Sequence, residues 1–170
     1  MPDFSRRARL AEWMDDPATD YPTFRACLAD LARVNRLTLA YPPTLAFLDR
    51  VVRAGLVPRR RPLAILDAGS GDGDMLRAID RWARRRGIAV ALTGVDLNPW
   101  SARAAAAATP PGRPIAWITS DLFAYRPAAP PDLVISSLFT HHLDDGALVR
   151  FLAWMEANAA TGWFVNDLHR

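Results

Sequence analysis

The pattern of apolar positions predicts two amphipathic helices in the first third of the chain. From Pro22 onward apolar residues recur at spacings of three and four, as on one face of a helix that a proline begins. They are Phe24, Leu28, Leu31, Val34 and Leu37. The segment "YPP" at 41–43 is expected to end this helix, and a second helix is predicted over 44–54 with Gly55 as its stop. Two helices therefore precede any strand.

After residue 62 the pattern changes to short apolar runs that alternate with helical segments. Strands are predicted at 63–66, 89–95, 115–119, 132–136 and 163–166. Helices are predicted at 73–85, 99–108 and 144–160, with a proline-rich connection at 125–131. This alternation is typical of parallel β-α-β units, whose strands are buried on both faces. We predict an α/β fold with a doubly wound, mainly parallel, Rossmann-like sheet over 59–170 and an N-terminal helical cap over 1–58.

Composition narrows the class of protein without naming a function. The chain has 170 residues, is 51% hydrophobic and 23% charged, and carries a net charge of +3, as expected for one globular domain. All basic side chains are arginine, and the runs "RRR" at 59–61 and 84–86 are interpreted as solvated faces, with contact to an acidic partner as the alternative. No apolar stretch has the length of a signal peptide or a membrane span, so we expect a cytoplasmic protein. Cys27 is the one cysteine, which excludes an internal disulfide and a thiolate cluster, and we predict no metal site.

The segment "LDAGSGDGDM" at 66–75 is the first candidate binding loop, because it follows the first strand and begins a helix. In an open parallel sheet, ligands bind outside the carboxyl ends of the strands. Glycines let the backbone turn sharply and let a ligand approach it closely. A phosphate-binding P-loop needs a lysine, and the chain has none. A dinucleotide loop needs a third glycine at position 74, which is Asp74, so a nicotinamide-dependent oxidoreductase is a disfavoured alternative.

Three acidic residues follow three successive predicted strands. Asp67 ends the first strand, Asp96 lies in "GVDLNP" after the second, and Asp121 lies in "SDLF" after the third. A carboxylate attracts an ammonium or sulfonium group, and one after the second strand can accept hydrogen bonds from ribose hydroxyls. Each acid alone could be a cap or turn residue. Together they predict a ligand with a positive amino end, a ribose and an aminated base.

These motifs resemble those of the class I methyltransferases that use S-adenosylmethionine. The matching segments are "ILDAGSGDG", "GVDLNP", "SDLF" and "PDLVISSLFTHHL", and the resemblance covers about residues 62–167. It implies S-adenosylmethionine as the cofactor. The residues that it implies for binding are Asp67, Gly69, Ser70, Gly71, Gly73, Asp96, Leu97, Asp121, Leu122 and Ser136. It places the glycines under the methionine part, Asp67 and Ser136 near its amino group, Asp96 at the ribose, and Leu97, Asp121 and Leu122 at the adenine.

The loop after the fourth predicted strand supplies candidate catalytic residues. Methyl transfer from a sulfonium depends on positioning and on exclusion of water, and a base is needed only where the acceptor must lose a proton. His141 and His142 could supply that base for a phenol or an enol, or "HHLDD" could simply begin the next helix. Asn166, Asp167 and His169 could contact acceptor or cofactor, or form a solvated strand end. Asn35 and Arg36 are candidate lid residues, and an exposed helix face that carries Arg33 and Arg36 is the favoured alternative.

The kind of acceptor is predicted by what the same loop lacks. Adenine-N6 methyltransferases of nucleic acids carry an (N/D/S)-P-P-(Y/F/W) motif after the fourth strand, where this chain has "SSLF". The histidine loop is similar to those of small-molecule methyltransferases of quinone and polyketide pathways. We therefore predict a small, aromatic or quinone-like acceptor and no nucleic-acid partner.

The sequence departs from the family pattern after the fifth predicted strand. Class I methyltransferases normally continue through a further helix and an antiparallel pair of strands, whereas this sequence ends at Arg170. A truncated or degenerate domain that binds the cofactor without catalysis is therefore the alternative. The fifth strand would form an apolar edge, which pairing in a homodimer could cover.

Overall fold

Five parallel strands form the centre of the protein in the computed structural model, which describes residues 19–37 and 39–167. The strands are β1 (Leu63–Ala68), β2 (Val90–Asp96), β3 (Ile115–Thr119), β4 (Leu133–Ser137) and β5 (Gly162–Asn166). Their order across the sheet is β3-β2-β1-β4-β5, and every neighbouring pair is parallel. Strand order thus reverses beside β1, at the position where open sheets bind ligands. The predicted doubly wound α/β fold is confirmed.

Among the described residues, five helices and one short turn connect and flank the strands. The helices are α1 (Tyr21–Leu37), α2 (Tyr41–Arg53), α3 (Asp74–Arg86), α4 (Pro99–Ala108) and α5 (Asp145–Asn158), and a 3-10 turn spans Thr140–His142. Within the described part of the chain, each helix is too short or too polar to cross a membrane. Of the predicted features, residues 1–18 of the cap, the side chain of Arg36 and His169 lie outside the described residues.

The segment "YPP" lies beyond the end of α1 at Leu37 and forms the start of α2. Tyr41 begins α2, and Pro42 and Pro43 lie in its first turn. Proline is tolerated there because the first N–H groups of a helix have no partner within it, so the missing N–H costs no hydrogen bond. The prediction that α2 begins at residue 44 was therefore wrong by one helical turn. Gly55 follows α2 with a φ of 71°, the left-handed conformation expected of its stop.

Apolar clusters cover both faces of the sheet. Consecutive residues of β1 belong to different clusters: Ile65 packs with α2 and α3 on one face, and Leu66 packs with α5 on the other. The first cluster contains Leu48, Leu76, Ile79 and Trp82, and the second contains Val134, Phe151 and Met155. Side chains alternate between the faces of a strand, so a strand covered on both faces has a continuous apolar sequence.

The predicted apolar stripe of helix α1 is buried only at its first two positions. Phe24 and Leu28 pack against Ala104 of α4, and the rings of Phe24 and Trp100 meet edge to face with centroids 5.6 Å apart. Further along the same predicted stripe, Leu31 and Val34 are 40% and 50% exposed. The apolar stripe therefore continues past the packed core into the wall of the cavity described below.

An ion pair joins the connector before β1 to the start of β4. Asp132 is buried, and its two carboxylate oxygens accept hydrogen bonds of 2.6 Å from the two terminal nitrogens of Arg61. The backbone N–H of Ala64 donates a third bond of 2.9 Å. Arg61 holds the pKa of the Asp132 carboxyl below its ordinary value, against the opposing effect of burial. This interaction fixes the amino ends of two central strands, on the side of the sheet away from the candidate site.

We expect Asp132→Asn to destabilise the fold by about 1–2 kcal/mol at neutral pH, because charge-assisted bonds to a buried carboxylate are lost. The folded-state pKa of Asp132 lies below the unfolded value of about 3.9. Its stabilisation is therefore complete above that value and is lost as the pH falls through the folded-state pKa. Urea unfolding of wild type and variant at a series of pH values should show a difference that closes under acid conditions. A pH-independent difference would contradict this assignment.

Candidate functional site

A large open cavity lies at the carboxyl edge of the sheet. Its volume is about 1300 Å³, larger than a typical site for one ligand. The glycine loop, the loops after the other four strands and the inner face of α1 line it. The predicted site residues that it brings together are Gly69, Ser70, Gly71, Asp96, Leu97, Asp121, Leu122, His141 and His142.

The glycine loop has a backbone conformation that other residues rarely adopt. The φ angles of Gly69 and Gly71 are 74° and 52°, in the left-handed region that favours glycine. The N–H groups of Gly69 and Ser70 donate to the carbonyl of Val95, which ties the loop to β2. A Cβ at Gly71 would meet nothing within 4 Å. The loop is therefore held firmly on its sheet side and open on its cavity side.

Asp67 lies beneath this loop as a buried acid. It is 2% exposed, and its Oδ1 atom has no hydrogen-bond partner among the described residues. Burial, followed by the like charges of Asp74 and Asp96, raises the pKa of the Asp67 carboxyl well above its ordinary value. An unpartnered buried carboxylate is costly for the folded state. A donor that binds beside it would remove that cost.

Asp96 forms the junction between the glycine loop and the loop after β2. Its Oδ2 atom accepts a bond of 2.9 Å from the Gly71 N–H, and its Oδ1 atom accepts one of 2.9 Å from the Asn98 N–H. The Asn98 side chain in turn caps α4. Leu97 is 73% exposed at the cavity wall. An acid and an apolar side chain thus stand side by side at one end of the cavity.

The loop after β3 completes that end of the cavity. Asp121 accepts a hydrogen bond of 2.8 Å from the Phe123 N–H, and Leu122 is partly buried beside it. This turn presents a carboxylate and an apolar surface to the same space. The arrangement suits a planar, aminated ring, because its faces need apolar contacts and its edge needs an acceptor.

Besides the buried Asp67, two predicted binding residues do not line the cavity. A Cβ on Gly73, whose φ is 75°, would come within 1.9 Å of the Trp117 ring, so this glycine makes room for an indole. Ser136 is buried, and its hydroxyl donates a bond of 3.0 Å to the carbonyl of Ala68, which links β4 to the base of the glycine loop. The structure gives both residues partners within the protein, and their contact with a ligand remains a prediction.

His141 is held by a carboxylate from the end of β5. Its Nδ1 atom lies 2.7 Å from Oδ1 of Asp167, and the side chains of both residues are nearly buried. The other Asp167 oxygen accepts from the backbone N–H of His141 and from the hydroxyl of Thr140. An ionised carboxylate can only accept, so Nδ1 carries a proton and Nε2 carries the lone pair of a neutral His141. The ring of His142 lies 4.2 Å away.

A further acid, Asp74, connects the two N-terminal helices to the glycine loop. Its Oδ2 atom accepts bonds from the Asn35 side chain of α1 at 3.0 Å and from the Tyr41 hydroxyl of α2 at 2.9 Å. Asp74 and Asn35 line the cavity, whereas Tyr41 does not. The sequence identified Asp74 as the residue that breaks a dinucleotide motif, and not as a partner of the N-terminal helices. No local signal pairs it with residues more than 30 positions away.

Two aromatic residues in the site region were also missed. Phe139 packs so closely on the glycine loop that a Cβ at Gly69 would lie 2.5 Å from its ring. Trp117 packs over Gly94 as well as Gly73, and a Cβ at Gly94 would lie 2.6 Å from the indole. Gly94 within a buried strand was the available signal, since such a glycine often marks the close approach of another group.

Solved structures of methyltransferases share this fold. The plantazolicin methyltransferase BpumL, in complex with SAH, aligns with a TM-score of 0.60 and 18% identity over 87% of this chain and 51% of that chain. Magnesium protoporphyrin IX methyltransferase (ChlM) from Synechocystis PCC 6803 aligns with a TM-score of 0.55 and 18% identity over 85% and 58%. A putative methyltransferase from Methanococcus maripaludis aligns with a TM-score of 0.59 and 14% identity over 89% and 66%. The chain thus spans about half to two thirds of the length of these proteins.

A protein-family model confirms the relationship at the level of sequence. No curated protein sequence matches this chain. The family model described as "Methyltransferase domain", however, matches residues 65–162, which are more than half of the chain. The matched segment begins in β1 and ends at the start of β5, so it includes the glycine loop, Asp96, Asp121 and the histidine turn. The chain therefore belongs to the methyltransferase domain family.

Proposed function

We propose that this protein is an S-adenosylmethionine-dependent methyltransferase that acts on a small, aromatic or quinone-like acceptor. The observation that carries the proposal is Asp67, a buried carboxylate with an unpartnered oxygen beneath an open glycine loop. Such a group reduces stability and is explained by a ligand that brings a donor to it. The amino group of S-adenosylmethionine is a donor of the required charge.

The residues present fit the rest of that cofactor. Asp96 would hold the ribose, because its carboxylate lies where the glycine loop meets the loop after β2. Leu97 and Leu122 would flank the adenine, and Asp121 would accept from its amino group. Gly69, Ser70 and Gly71 would pass under the methionine part, with Gly73 and Ser136 supporting the loop from behind. When bound, the cofactor supplies a methyl group on a sulfonium.

The acceptor side of the proposal rests on His141. With Asp167 holding Nδ1–H, Nε2 of His141 is the atom that would take a proton from an acceptor hydroxyl. The carboxylate stabilises the imidazolium that results. The ring of His142 is tilted by 33° with its centroid 4.2 Å from that of His141. It also lines the cavity, and would contact the acceptor. Phe139 and Leu143 supply apolar surface to the same region, which favours an aromatic or quinone-like molecule.

Calorimetric titration with S-adenosylhomocysteine, with NAD in a parallel cell, tests the proposed cofactor directly. We expect saturable one-to-one binding of S-adenosylhomocysteine alone. Circular dichroism on the same sample establishes that the chain is folded. Binding of NAD alone would instead support the nicotinamide-dependent alternative. A folded chain that binds neither compound would overturn the proposal.

Asp67→Asn should separate the function of this acid from its cost to folding. The folded-state pKa of Asp67 is raised, so its carboxyl favours folding at pH values below its unfolded pKa and destabilises the fold as the pH rises through the folded-state pKa. The amide of the Asp67→Asn variant does not ionise, so this pH-dependent loss of folding stability is absent. We expect about 1–2 kcal/mol of added stability near neutral pH, a gain that shrinks in acid, and S-adenosylhomocysteine affinity at least about tenfold weaker. A variant that loses stability and binds normally would mark Asp67 as structural.

His141→Gln is expected to lower turnover at least about 100-fold, within the range that general base catalysis contributes, while the affinity for S-adenosylhomocysteine changes less than about twofold. The measurement is transfer of a radiolabelled methyl group during a screen of phenol and quinol acceptors. His142→Gln is the matched control, because it removes the neighbouring ring and leaves the pair of His141 and Asp167. Loss of cofactor binding in His141→Gln would contradict a role confined to the acceptor.

A further inference from the structure

The charged groups of the cavity are strongly biased towards one sign. Among the described residues that line it, the carboxylates are Asp72, Asp74, Asp96, Asp121 and Asp167, and none of the lining residues is arginine. The sequence contains no lysine. Two runs of arginine lie instead at the other end of the sheet, at 59–61 and 84–86. The described lining of the cavity therefore carries a net negative charge.

Most of the negative charge in the cavity belongs to carboxylates whose hydrogen-bond donors are neutral. Arg77 offsets Asp72 through an ion pair of 3.0 Å, and His141 faces Asp167. Asp74, by contrast, accepts only from an amide and a phenol in the described structure. Asp96 and Asp121 accept from backbone N–H groups. These donors stabilise each carboxylate without cancelling its charge. The electric field of the carboxylates therefore extends into the cavity.

Helix N-termini at this edge do not reverse that field. The positive end of a helix dipole attracts anions, and α2, α3, α4 and α5 all begin here. The first turns of α3 and α5 contain Asp74 and Asp145. Those of α2 and α4 contain no acid, but Tyr41 at the start of α2 donates to Asp74, and the N–H of Asn98, which caps α4, donates to Asp96. An anionic ligand would therefore meet a carboxylate at these helix ends.

The walls between the carboxylates are apolar. Leu31 of α1 and Leu39, between α1 and α2, lie on one side of the cavity. Leu97 and Phe123 line it from loops that follow strands, and Trp100 lines it from the first turn of α4. Several of these side chains are also well exposed, including Leu97 at 73% and Leu39 at 67%. Exposed apolar residues around a concave site are typical of a surface that binds an apolar ligand. The volume of about 1300 Å³ leaves space for such a ligand beside a cofactor.

We infer that the cavity selects an apolar acceptor that is uncharged or cationic and rejects one that carries a carboxylate, sulfonate or phosphate. This inference rests on the proposed function and specifies the acceptor by its charge. An anion would lose its hydration on entry and meet three carboxylates whose charge is not offset. A neutral or cationic group on the same aromatic body would keep the apolar contacts without that repulsion.

The test compares ligands that share one aromatic body. The fluorescent dye N-phenylnaphthylamine is bound to the full chain and then displaced by biphenylmethanol, biphenylmethylamine or biphenylcarboxylate. We expect the alcohol and the amine to displace the dye at least about tenfold more effectively than the carboxylate. Equal or better displacement by the carboxylate would overturn the inference, and so would failure of the dye to bind.

Two isosteric variants locate the effect. Asp74→Asn removes one cavity charge and retains an oxygen that can accept from Asn35 or Tyr41. Asp30→Asn removes one charge from the exposed surface of α1, where Asp30 pairs with Arg33. The preference for the alcohol over the carboxylate should fall about two- to fivefold in Asp74→Asn and stay unchanged in Asp30→Asn. Equal changes in both variants would mean that only the net charge matters, which would overturn selection by the cavity.

The same preparation is titrated with S-adenosylhomocysteine, which separates the two possible failures. Absence of that binding removes the proposed function, whereas the displacement series still measures charge selection in the cavity. Normal binding together with strong displacement by the carboxylate removes only the inference about the acceptor.

Discussion

Asp96→Ala is expected to weaken the binding of S-adenosylhomocysteine about 100-fold or more, while the chain stays folded. The variant removes the carboxylate proposed to accept from the ribose hydroxyls. It also releases the Gly71 and Asn98 N–H groups that this carboxylate now orients at 2.9 Å each. Hydrogen bonds to a charged group contribute about 1.5–3 kcal/mol each, and a 100-fold change corresponds to about 2.8 kcal/mol. Loss of one such bond to the ligand, together with a less ordered loop, is enough for this effect.

Asp96→Asn provides the matched control for this substitution. Its amide has the size of the carboxylate and retains one oxygen, so it can accept from the Gly71 N–H or from a ribose hydroxyl. We expect its affinity to lie between those of wild type and Asp96→Ala. Calorimetry measures both affinities, and circular dichroism with urea unfolding checks the fold. Affinity unchanged in Asp96→Ala would remove the ribose assignment and with it the strongest motif of the proposed cofactor site.

The order of strands and helices could be predicted because buried parallel strands have a recognisable sequence pattern. The runs at 63–66 and 115–119 match β1 and β3 to within two residues, since continuous apolar segments separated by helical periodicity have few other interpretations. The start of α2 was misplaced because prolines were interpreted as an end, and the same residues can also begin a helix.

The chemical residues of the site could be predicted only where strand ends bring them together. Asp67, Asp96 and Asp121 follow adjacent strands, so the topology alone places them at one edge. The pairs that cross between elements carry no such signal. Asp74 with Tyr41 and Asp167 with His141 depend on how helices and loops dock, which periodicity does not determine. Asp167 was a candidate for ligand contact. It lines the cavity, and its carboxylate is bonded to the histidine turn.

The three glycines of the loop illustrate the same limit. A sequence pattern treats Gly69, Gly71 and Gly73 alike, as positions where a ligand needs a bare backbone. In the structure Gly71 faces open space, whereas Gly73 faces the indole of Trp117. One motif therefore combines a glycine that suits ligand approach with a glycine that packing requires. Mutations that add a single methyl group can distinguish the two.

Gly73→Ala is expected to destabilise the fold by about 2–4 kcal/mol, which would be the largest stability loss from a single methyl group in this region. Its Cβ would come within 1.9 Å of the Trp117 ring at a φ of 75°, so overpacking of about 1–3 kcal/mol adds to left-handed strain of about 1 kcal/mol. Gly71→Ala, with a φ of 52° and nothing within 4 Å, should lose only about 1 kcal/mol and should instead weaken S-adenosylhomocysteine binding.

Trp117→Leu tests whether the indole is the cause. The single variant loses aromatic packing, but in combination with Gly73→Ala it relieves the clash. Urea unfolding of both single variants and the double variant should give a coupling free energy of about 1 kcal/mol or more, with the double variant more stable than the sum of the single losses predicts. Strictly additive losses would mean that strain in the loop, and not Trp117, requires glycine at position 73. In that case Gly73 would again be assigned to the cofactor site, as the sequence motif predicts.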